Sequence, residues 1–438
     1  MSASLPSVVI VGGGFAGLAA AKALRKTAAR IILIDRSNHH LFQPLLYQVA
    51  TSVLTPGQIG SPIRGILRKQ SNTTVILGEV TGVDRTKKVV YASNSLRENI
   101  PVPYDYLILA TGVTHSYFGH DEFAPFAPGL KSLADAEAVR NRILQAFEQA
   151  EAEDAPSKHR DLLTFVLVGG GPTGVEMAAA IAVLVRTTLR RDFRRIDPTS
   201  ARIMIIDRGK RILGTFAEEL SSAAMKRLER LGVEVRLGVG VDGIDAGGVT
   251  VAGERILSKV VIWTAGVAPS PAGKWLNAET DRAGRVRVQP DLSVPGFPEV
   301  FVLGDAASFD EEGHALPGVA QVAIQQGRYA GRLIARRISG GTVPKRFHYF
   351  DKGNMAVVGG GFAVLQTGKI RMHGFLAWMA WGLEHLQFLA QSSERVSVFL
   401  QWIWTANTGQ RGDRLIVNHY GAGRVPATPE AISHKTGT

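Results

Sequence analysis

Two glycine-rich turns of identical spacing could each hold the phosphates of a nucleotide. They are Gly12-x-Gly14-x-x-Gly17 and, 157 positions later, Gly169-x-Gly171-x-x-Gly174. In such a turn the first glycine permits a tight bend, the second lets the backbone approach a pyrophosphate, and the third lets a helix pack on a strand. The free N–H groups at the start of that helix attract the phosphates. The spacing therefore predicts two nucleotide sites in one chain.

Acidic residues stand where each predicted site needs a partner for a ribose. Asp35 ends the strand predicted over Arg30–Asp35, and Asp207 ends the strand predicted over Arg202–Asp207. A carboxylate at this place accepts a 2′-hydroxyl and repels a 2′-phosphate, so Asp207 favours NADH over NADPH at the second site. Arg208, the next residue, weakens that preference because its charge attracts a phosphate.

Small or acidic residues also close other predicted strands. They are Thr111, Gly112, Gly266 and Asp305. Such residues are required where the chain leaves a sheet beside a ligand, although they are equally common in ordinary turns. Asp305 could bind a hydroxyl of a ribityl chain.

Glu176 lies two residues past the second turn, and two interpretations of it stay open. The dipole at the start of a helix stabilises a carboxylate, so Glu176 could simply cap its helix. Two nucleotides in one chain, however, imply hydride transfer between a nicotinamide and a flavin, with the protein aligning the rings. Glu176 could then orient the nicotinamide or relay a proton.

The composition restricts the chemistry further. The 438 residues contain 50 Lys and Arg against 38 Asp and Glu, and the net charge of +12 favours anionic partners. Cysteine is absent, which excludes disulfides, thiolate metal sites and redox dithiols, and no metal site is predicted. The Arg-rich insert 186–198 has no pattern of interleaved aromatic residues, with Phe193 its single one, so we expect no nucleic-acid partner. No run of 18 apolar residues occurs, so no transmembrane helix is predicted.

The elements that must carry the two turns repeat one pattern. A strand at Ser7–Val11 precedes the first turn, and a helix at Leu18–Thr27 follows it. A strand at Thr164–Val168 precedes the second turn, and a helix at Val175–Val185 follows it. This duplication predicts an α/β fold with two Rossmann-like dinucleotide-binding units.

Aromatic residues cluster near the C-terminus, in two stretches at 374–391 and 396–406 that hold four of the six tryptophans. The residues that fall near helical spacing on one face are Phe375, Trp378, Met379, Leu386 and Leu389. Such a face with tryptophan rings suits a membrane interface. Nearby cations that would meet anionic headgroups are Lys369, Arg371, Arg395, Arg411 and Arg414. The alternatives are an oligomer interface or ordinary core.

Four strings of sequence point to one family. They are DRSNHHLFQPLLYQVA at 35–50, GGGPTGVEMA at 169–178, DFRRIDP at 192–198 and AQVAIQQ at 320–326. They resemble type II NADH dehydrogenases, the single-subunit, non-proton-pumping NADH:quinone oxidoreductases. The similarity extends to about residue 420, and the AQxAxQQ string and the tryptophan-rich end are more specific than the glycine turns.

The resemblance implies domains arranged as in glutathione reductase. An FAD-binding domain would comprise residues 1–118 and 285–345, and an NADH-binding domain residues 119–284. Residues 346–438 would form an amphipathic, membrane-docking C-terminal region that ends in a polar tail. The family often has Glu where this chain has Asp207.

The resemblance also implies roles for single residues, with FAD bound non-covalently and NADH as a substrate. Contacts to FAD are expected from Gly12, Gly13, Gly14, Phe15, Ala16, Gly17, Asp35, Arg36, Val80, Thr111, Gly112, Asp305, Ala320, Gln321 and Lys352. Contacts to NADH are expected from Gly169, Gly171, Pro172, Thr173, Gly174, Glu176, Asp207 and Gly266. Glu176 corresponds to the catalytic-site glutamate of the family. The quinone pocket is expected to be bordered by Gln321, Gln325 and Lys352.

The implied reaction passes a hydride from NADH to FAD and then two electrons to a membrane quinone without proton pumping. The expected location is the cytoplasmic face of the cell inner membrane, with an anionic lipid surface as a partner and a homodimer as one oligomeric state. One alternative is a soluble NADH-dependent reductase of a small electron-carrier protein, which would not need the tryptophan-rich end. Another is a non-catalytic redox sensor that binds NADH.

Overall fold

The computed structural model describes residues 5–311, 313–342 and 346–417. The helices are α1 (Phe15–Ala23), α2 (Leu46–Ala50), α3 (Pro56–Ile59), α4 (Ile63–Leu67), α5 (Leu133–Ala152), α6 (Pro156–Leu162), α7 (Pro172–Val183), α8 (Glu218–Arg230), α9 (Ala272–Leu276), α10 (Ala320–Ser339), α11 (Phe375–Phe388) and α12 (Ser392–Thr408).

The strands are short and belong to several sheets. They are β1 (Ser7–Val11), β2 (Arg30–Asp35), β3 (His39–Leu41), β4 (Gly60–Pro62), β5 (Thr73–Leu77), β6 (Glu79–Asp84), β7 (Val89–Ser93), β8 (Ile100–Pro103), β9 (Tyr106–Leu109), β10 (Val113–His115), β11 (Thr164–Val168), β12 (Arg202–Asp207), β13 (Val233–Leu237), β14 (Val241–Asp245), β15 (Gly248–Val251), β16 (Glu254–Leu257), β17 (Val260–Trp263), β18 (Val267–Pro269), β19 (Val286–Arg287), β20 (Ser293–Val294), β21 (Phe297–Val302), β22 (Ala307–Ser308), β23 (Asp310–Glu311), β24 (His314–Ala315), β25 (Asn354–Val357), β26 (Ala363–Thr367) and β27 (Ile370–Gly374).

The first parallel sheet has the strand order β20-β21-β9-β1-β2-β5, with only β20 antiparallel to its neighbour. Val11, the last residue of β1, pairs with Ile34 of β2 and Leu109 of β9. All five residues of β1 are buried, as expected for a strand that is covered on both faces. The first glycine turn therefore leaves the middle of this sheet at its carboxyl edge, where open α/β sheets bind ligands.

The second parallel sheet has the strand order β13-β12-β11-β17 and repeats this arrangement. Val168, the last residue of β11, pairs with Ile206 of β12 and Trp263 of β17. The second glycine turn follows Val168 directly, in the place that the first turn has after Val11. The predicted α/β fold with two Rossmann-like units is thus confirmed.

Two short antiparallel strands connect the units. The chain leaves the first sheet through β10 and returns through β18, and Thr114 pairs with Ala268 between them. Beside this pair the hydroxyls of Thr111 and Ser270 are hydrogen-bonded. The predicted domain limits stay a prediction, and α9, which follows β18, packs Leu276 in the core of the first unit.

Helix α1 differs from its prediction over Leu18–Thr27. It starts at Phe15, because Gly14 of the turn is its N-cap, and it ends at Ala23. The long helix α5 begins after Ser132, whose hydroxyl accepts the N–H of Asp135 in a capping box. Turn chemistry therefore sets both starts.

The C-terminal region begins with the meander β25-β26-β27, followed by α11 and α12. The predicted lipid face of α11 is partly wrong. Of the predicted face, Leu389 is 1% exposed, and Trp378 and Leu386 are half-buried against the core that contains α7, so the core alternative applies to these three. Trp381, which was not part of the predicted face, is 2% exposed in the same core. The exposed apolar side chains on the two helices, here called the apolar C-terminal face, are Phe375, Leu376, Met379, Leu383, Val396, Phe399, Leu400, Ile403 and Trp404.

Helix α12 is held against the first unit by polar contacts. Glu394 is buried and hydrogen-bonded to the hydroxyl of Ser61. The indole N–H of Trp402 donates to Oε1 of Gln48 at 2.7 Å. Docking of α12 therefore satisfies polar groups of both partners.

The segment that follows α12 crosses to the second unit. Thr188 Oγ1 donates to the carbonyl of Gly409 at 2.7 Å, and Arg140, which is 2% exposed, pairs with Asp413. The prediction that Arg411 meets lipid headgroups is wrong. Its guanidinium is buried and donates to the carbonyls of Thr51 and Ala180 at 2.7 and 3.2 Å.

Within the described residues one helical stretch, Pro172–Arg191, is long and apolar enough by composition to cross a membrane. Of the 18 consecutive residues that are most apolar in this stretch, 67% are buried in the protein. A core helix of a soluble protein can have the same length and apolar composition. The polar tail predicted after Arg424 lies outside the described residues.

Candidate active site

The backbone around the first turn explains which of its glycines serve the fold. Gly12 has a φ of +101°, and a Cβ there would overlap the carbonyl oxygen of Ala110. A Cβ on Gly17 would overlap the carbonyl oxygen of Gly12. Around Gly14, by contrast, no described atom lies within 4 Å of the place of a Cβ. The middle glycine therefore faces open space, as a site for a phosphate group requires.

The second turn has the same design. Gly169 has a φ of +116°, and a Cβ there would lie 2.9 Å from the backbone nitrogen of Ala265. A Cβ on Gly174 would overlap the carbonyl oxygen of Gly169, whereas the Cβ place at Gly171 is open among the described residues. Pro172 is the first residue of α7, and Thr173 follows it. Both turns therefore leave open space at a helix start, which fits the pyrophosphate of a dinucleotide. The space at Gly14 is here called the first cradle, and that at Gly171 the second cradle.

Asp35 and Asp207 brace these cradles in the same way. Asp35 accepts the N–H of Gly13 at 2.5 Å and that of Ser37 at 2.6 Å. Asp207 accepts the N–H of Gly170 at 2.5 Å with one oxygen and the N–H of Gly209 with the other. Both carboxylates thus lie at the predicted ribose positions, and the ribose contacts themselves stay a prediction.

Glu176 is the fifth residue of α7 and does not cap it. Its Oε1 accepts the backbone N–H of Val357 at 3.2 Å, from the end of β25. Burial raises the pKa of Glu176 to about 8, which is opposite to the effect of a helix start on a carboxyl. The helix-capping interpretation is therefore wrong, and Glu176 joins the second unit to the C-terminal region.

The remaining FAD residues predicted in the first unit lie around its sheet edge. Thr111 and Gly112 follow β9, and Arg36 follows Asp35 on the surface. Val80 is buried in β6. Gly78, the residue before this strand, donates its N–H to the carbonyl of Asp35. The structure thus brings these residues near the first turn.

Asp305 lies in a short turn after β21, next to helix α10. Gly304 donates its N–H to Oε1 of Gln326 at 2.7 Å, which ties this turn to α10. Burial raises the pKa of Asp305, and the charges of Lys131 and Arg285 oppose that rise. Lys131, which was not predicted from the sequence, thus places a positive charge near Asp305.

Gly266 of the second unit lies in a crowded turn after β17. It has a φ of +73°, and a Cβ there would overlap the ring of Phe118. Gly266 is therefore required by the fold itself, whether or not it contacts a nucleotide.

Helix α10 packs directly on α1, which positions the AQxAxQQ string. A Cβ on Gly327 would overlap the carbonyl oxygen of Ala16, and one on Gly331 would lie 2.7 Å from the Cβ of Ala23. Glycines one helical turn apart thus let the two helices approach closely. Ala320 is the first residue of α10, so Gln321 lies at its start.

Two of the predicted quinone-pocket residues, Gln321 and Lys352, contact helix α11, whereas Gln325 contacts the chain after α10. Gln321 Nε2 donates to Oε1 of Glu384 on α11 at 3.4 Å. The amide of Gln325 pairs with the backbone of Phe350, accepting its N–H at 3.0 Å and donating to its carbonyl at 2.9 Å. Gln325 thus braces the chain after α10, and its contact with a quinone stays a prediction. Lys352 Nζ lies 5.1 Å from the ring centroid of Phe388 on α11.

The sequence analysis missed several polar residues around these groups. His40 Nδ1 lies 3.0 Å from the carbonyl oxygen of Gly13, and burial lowers its pKa to about 4. Gln48 Nε2 donates to the hydroxyl of Tyr47 at 3.1 Å. His40, Tyr47 and Gln48 belong to the string at 35–50 that carried the resemblance, so that string was the available signal. Glu384 had none.

Comparison with known proteins decides the family. The pyridine nucleotide-disulphide oxidoreductase model matches residues 6–327. The type II NADH:quinone oxidoreductase Ndh of Mycobacterium tuberculosis is 46% identical over 94% of this chain and 90% of its own length. The chain belongs to the type II NADH:quinone oxidoreductases. A second relative in this family, NdhA of the same organism, is 45% identical over 90% of this chain and 86% of its own length.

Solved structures agree at the level of the fold. NDH2 from Plasmodium falciparum in complex with NADH matches 94% of this chain and all of its own, with a TM-score of 0.84 and 19% identity. The sulfide:quinone oxidoreductase of Aquifex aeolicus matches 92% of both chains, with a TM-score of 0.70 and 15% identity. The type II NADH:quinone oxidoreductase fold thus extends over the C-terminal region of this chain.

Proposed function

We propose that this protein is an FAD-dependent NADH:quinone oxidoreductase that does not pump protons. The observation that carries the proposal is the pair of equivalent cradles at Gly14 and Gly171, each open at a helix start. The identity to Ndh of Mycobacterium tuberculosis over nearly the whole chain supports it. A non-catalytic sensor would need the same cradles but no quinone site.

The first cradle would hold FAD non-covalently, and the second would hold the substrate NADH. When bound, FAD supplies a group that accepts a hydride from a nicotinamide and gives electrons to a quinone. Asp35 and Asp207 would orient the two riboses, and Lys131 beside Asp305 would add positive charge near the first nucleotide. Holding the reacting rings in contact supplies most of the rate enhancement, since proximity replaces a bimolecular encounter.

Glu176 would act where the second unit meets the C-terminal region. With its pKa raised to about 8, the carboxyl is mostly protonated at neutral pH and can donate a hydrogen bond or a proton. The quinone would enter beside Gln321 and Lys352, with Gln325 supporting the wall through Phe350.

Anaerobic stopped-flow spectroscopy tests this function on the FAD-loaded protein. NADH should bleach the flavin absorbance, and a short-chain quinone added next should restore it. Bleaching by NADH without reoxidation by any quinone would contradict the proposal and favour the alternative, a reductase of a small electron-carrier protein. Absence of bleaching would leave the sensor interpretation.

We further propose that the protein docks on the cytoplasmic face of the inner membrane through its apolar C-terminal face. Leu376 and Leu383 are 70% and 75% exposed on α11, and Trp404 is 60% exposed on α12. An exposed apolar patch of this kind marks an interaction surface, and tryptophan suits the headgroup level of a bilayer. A quinone stays in the bilayer, so its reductase must reach that surface.

Flotation with vesicles of phosphatidylcholine and anionic phosphatidylglycerol tests this location. The double variant Leu376→Ser, Leu383→Ser should stay with the soluble fraction. The matched control Leu96→Ser, Leu257→Ser removes two exposed leucines elsewhere and should float like the parent protein. If the first variant still floats and instead halves the mass in solution, the face is a homodimer interface.

A further inference from the structure

Glu384 lies at the junction between the quinone-pocket residues and the apolar C-terminal face. It is half-buried on α11, next to exposed Leu383, and Gln387 one turn further on is exposed too. Its Oε1 accepts the Nε2 donor of Gln321 from α10. The carboxyl therefore lies between the predicted quinone pocket and the protein surface at Gln387.

The titratable groups around Glu384 decide which side chain can donate a proton beside the predicted quinone pocket. Burial raises its pKa, and the ammonium of Lys352 opposes that rise. Tyr349 also faces it, but burial raises the pKa of this phenol to about 12, so it stays neutral. His385, the next residue, is neutral as well, since burial lowers its pKa to about 4. Tyr349 holds its proton too tightly and His385 is already neutral, so of these three groups the carboxyl with the raised pKa is the remaining proton donor.

The proton balance of the reaction requires such an acid. NADH supplies a hydride, which carries two electrons and one proton, whereas reduction of a quinone to a quinol takes two electrons and two protons. The second proton must come from water. Glu176 is less suited to deliver it, because its carboxyl is enclosed against Val357.

We propose that Glu384 delivers this second proton to a quinone oxygen, with the Gln321 amide holding its carboxyl in place and the Lys352 charge acting on it from a distance. The O–H bond of the carboxyl breaks as the O–H bond of the quinol forms, and the carboxylate then takes a proton from water beside exposed Gln387, which is outside the apolar C-terminal face. The inference rests on the proposed function.

The test is the pH dependence of quinone reduction by FAD-loaded Glu384→Gln. The amide keeps an oxygen that can accept from Gln321 but does not titrate. We expect kcat with a short-chain ubiquinone to fall by about a hundredfold or more, the usual contribution of a general acid. The step in the pH profile of quinone reduction that comes from the Glu384 carboxyl should disappear, while the step that comes from Glu176 remains and flavin bleaching by NADH in stopped flow stays unchanged. Glu254→Gln, on the exposed surface of the second unit, is the matched control.

Three outcomes would overturn the proposal. They are a Glu384→Gln profile that matches the parent protein, an equal slowing of flavin bleaching, and a change confined to the KM for quinone. The last would make Glu384 a structural support of Gln321 only. Failure of the parent protein to reduce any quinone is a separate result, because it rejects the proposed function itself.

Discussion

The backbone N–H of Val357 donates to Oε1 of Glu176 at 3.2 Å, although the two residues are 181 positions apart. Val357 ends a strand of the C-terminal meander, and Glu176 lies on the helix that starts at the second cradle. The carboxyl is therefore fixed from outside its own unit. Burial raises its pKa to about 8, and the hydrogen bond from Val357 opposes that rise.

Glu176→Gln should slow turnover with NADH and quinone while FAD stays bound. The amide can still accept the N–H of Val357, but it cannot exchange a proton, so we expect a loss of about tenfold or more in kcat. Steady-state kinetics and the flavin content of the purified variant check this. Glu229→Gln, an exposed change on α8, is the control. Parent-like kinetics would remove Glu176 from the mechanism.

The same substitution should change how stability depends on pH. The unfolded chain releases the Glu176 proton near the ordinary pKa of about 4.5, whereas the folded protein keeps it until about 8. Between these values rising pH favours the unfolded state, which binds fewer protons. The melting temperature of Glu176→Gln relative to the parent should therefore rise between about pH 5 and about pH 8. A constant difference would show that the carboxyl ionises freely.

Asp207→Ala should raise the KM for NADH and narrow the preference over NADPH. A hydrogen bond to a charged group contributes about 1.5–3 kcal/mol, so an increase of about tenfold or more is expected. Asp35→Ala is the matched control, because Asp35 braces the first cradle in the same way. That variant should lose FAD but keep its nucleotide preference once reloaded. An unchanged NADH to NADPH ratio in Asp207→Ala would contradict the ribose role.

Ser52→Gly should stabilise the protein by about 1 kcal/mol. Ser52 has a φ of +63°, a left-handed conformation that is strained for a residue with a Cβ. Its hydroxyl is buried and has no hydrogen-bond partner among the described residues. Ser52→Ala, which removes the hydroxyl but keeps the strain, separates the two effects in thermal unfolding. A lower stability for Ser52→Gly would mean that the hydroxyl is used.

Vesicle binding should persist at about 0.5 M NaCl, where charges are screened within a few ångströms. Only some of the predicted lipid-facing cations are available. Arg411 is buried, and Arg371 and Arg414 pair with Glu219 and Asp192. Attachment through apolar side chains is insensitive to salt. Release of the protein by salt in a flotation assay would assign the binding to charge instead.

Local rules were enough to predict the cradles. Three glycines between a strand and a helix, with an acidic residue at the end of the next strand, describe Gly12 and Asp35 as well as Gly169 and Asp207. These contacts form within one βαβ unit, so spacing carries them. The same reasoning gave the fold, whereas the family was indicated by the resemblance of the four strings at 35–50, 169–178, 192–198 and 320–326.

Contacts between distant segments were beyond such rules. Helix α11 is apolar on every side, so spacing alone does not tell that Trp381 is buried and Leu383 exposed. Arg411 follows the exposed end of α12, and only the carbonyls of Thr51 and Ala180 explain its burial. Glu384 became a candidate for the same reason, since its partner Gln321 lies on another helix.

The crossing of the C-terminal segment from one unit to the other has a practical consequence. A chain cut before α11 would take Asp413 from the buried Arg140, which keeps only a longer contact of 3.9 Å with Glu137 among the described ion pairs, and would uncover Ser61 and Gln48. Such a truncated protein would be a damaged enzyme and not a freely diffusing one, since orphaned polar groups are costly. The C-terminal region contacts both units, so the proposed attachment to lipid is best altered through side chains on its outer surface, where changes leave those contacts in place.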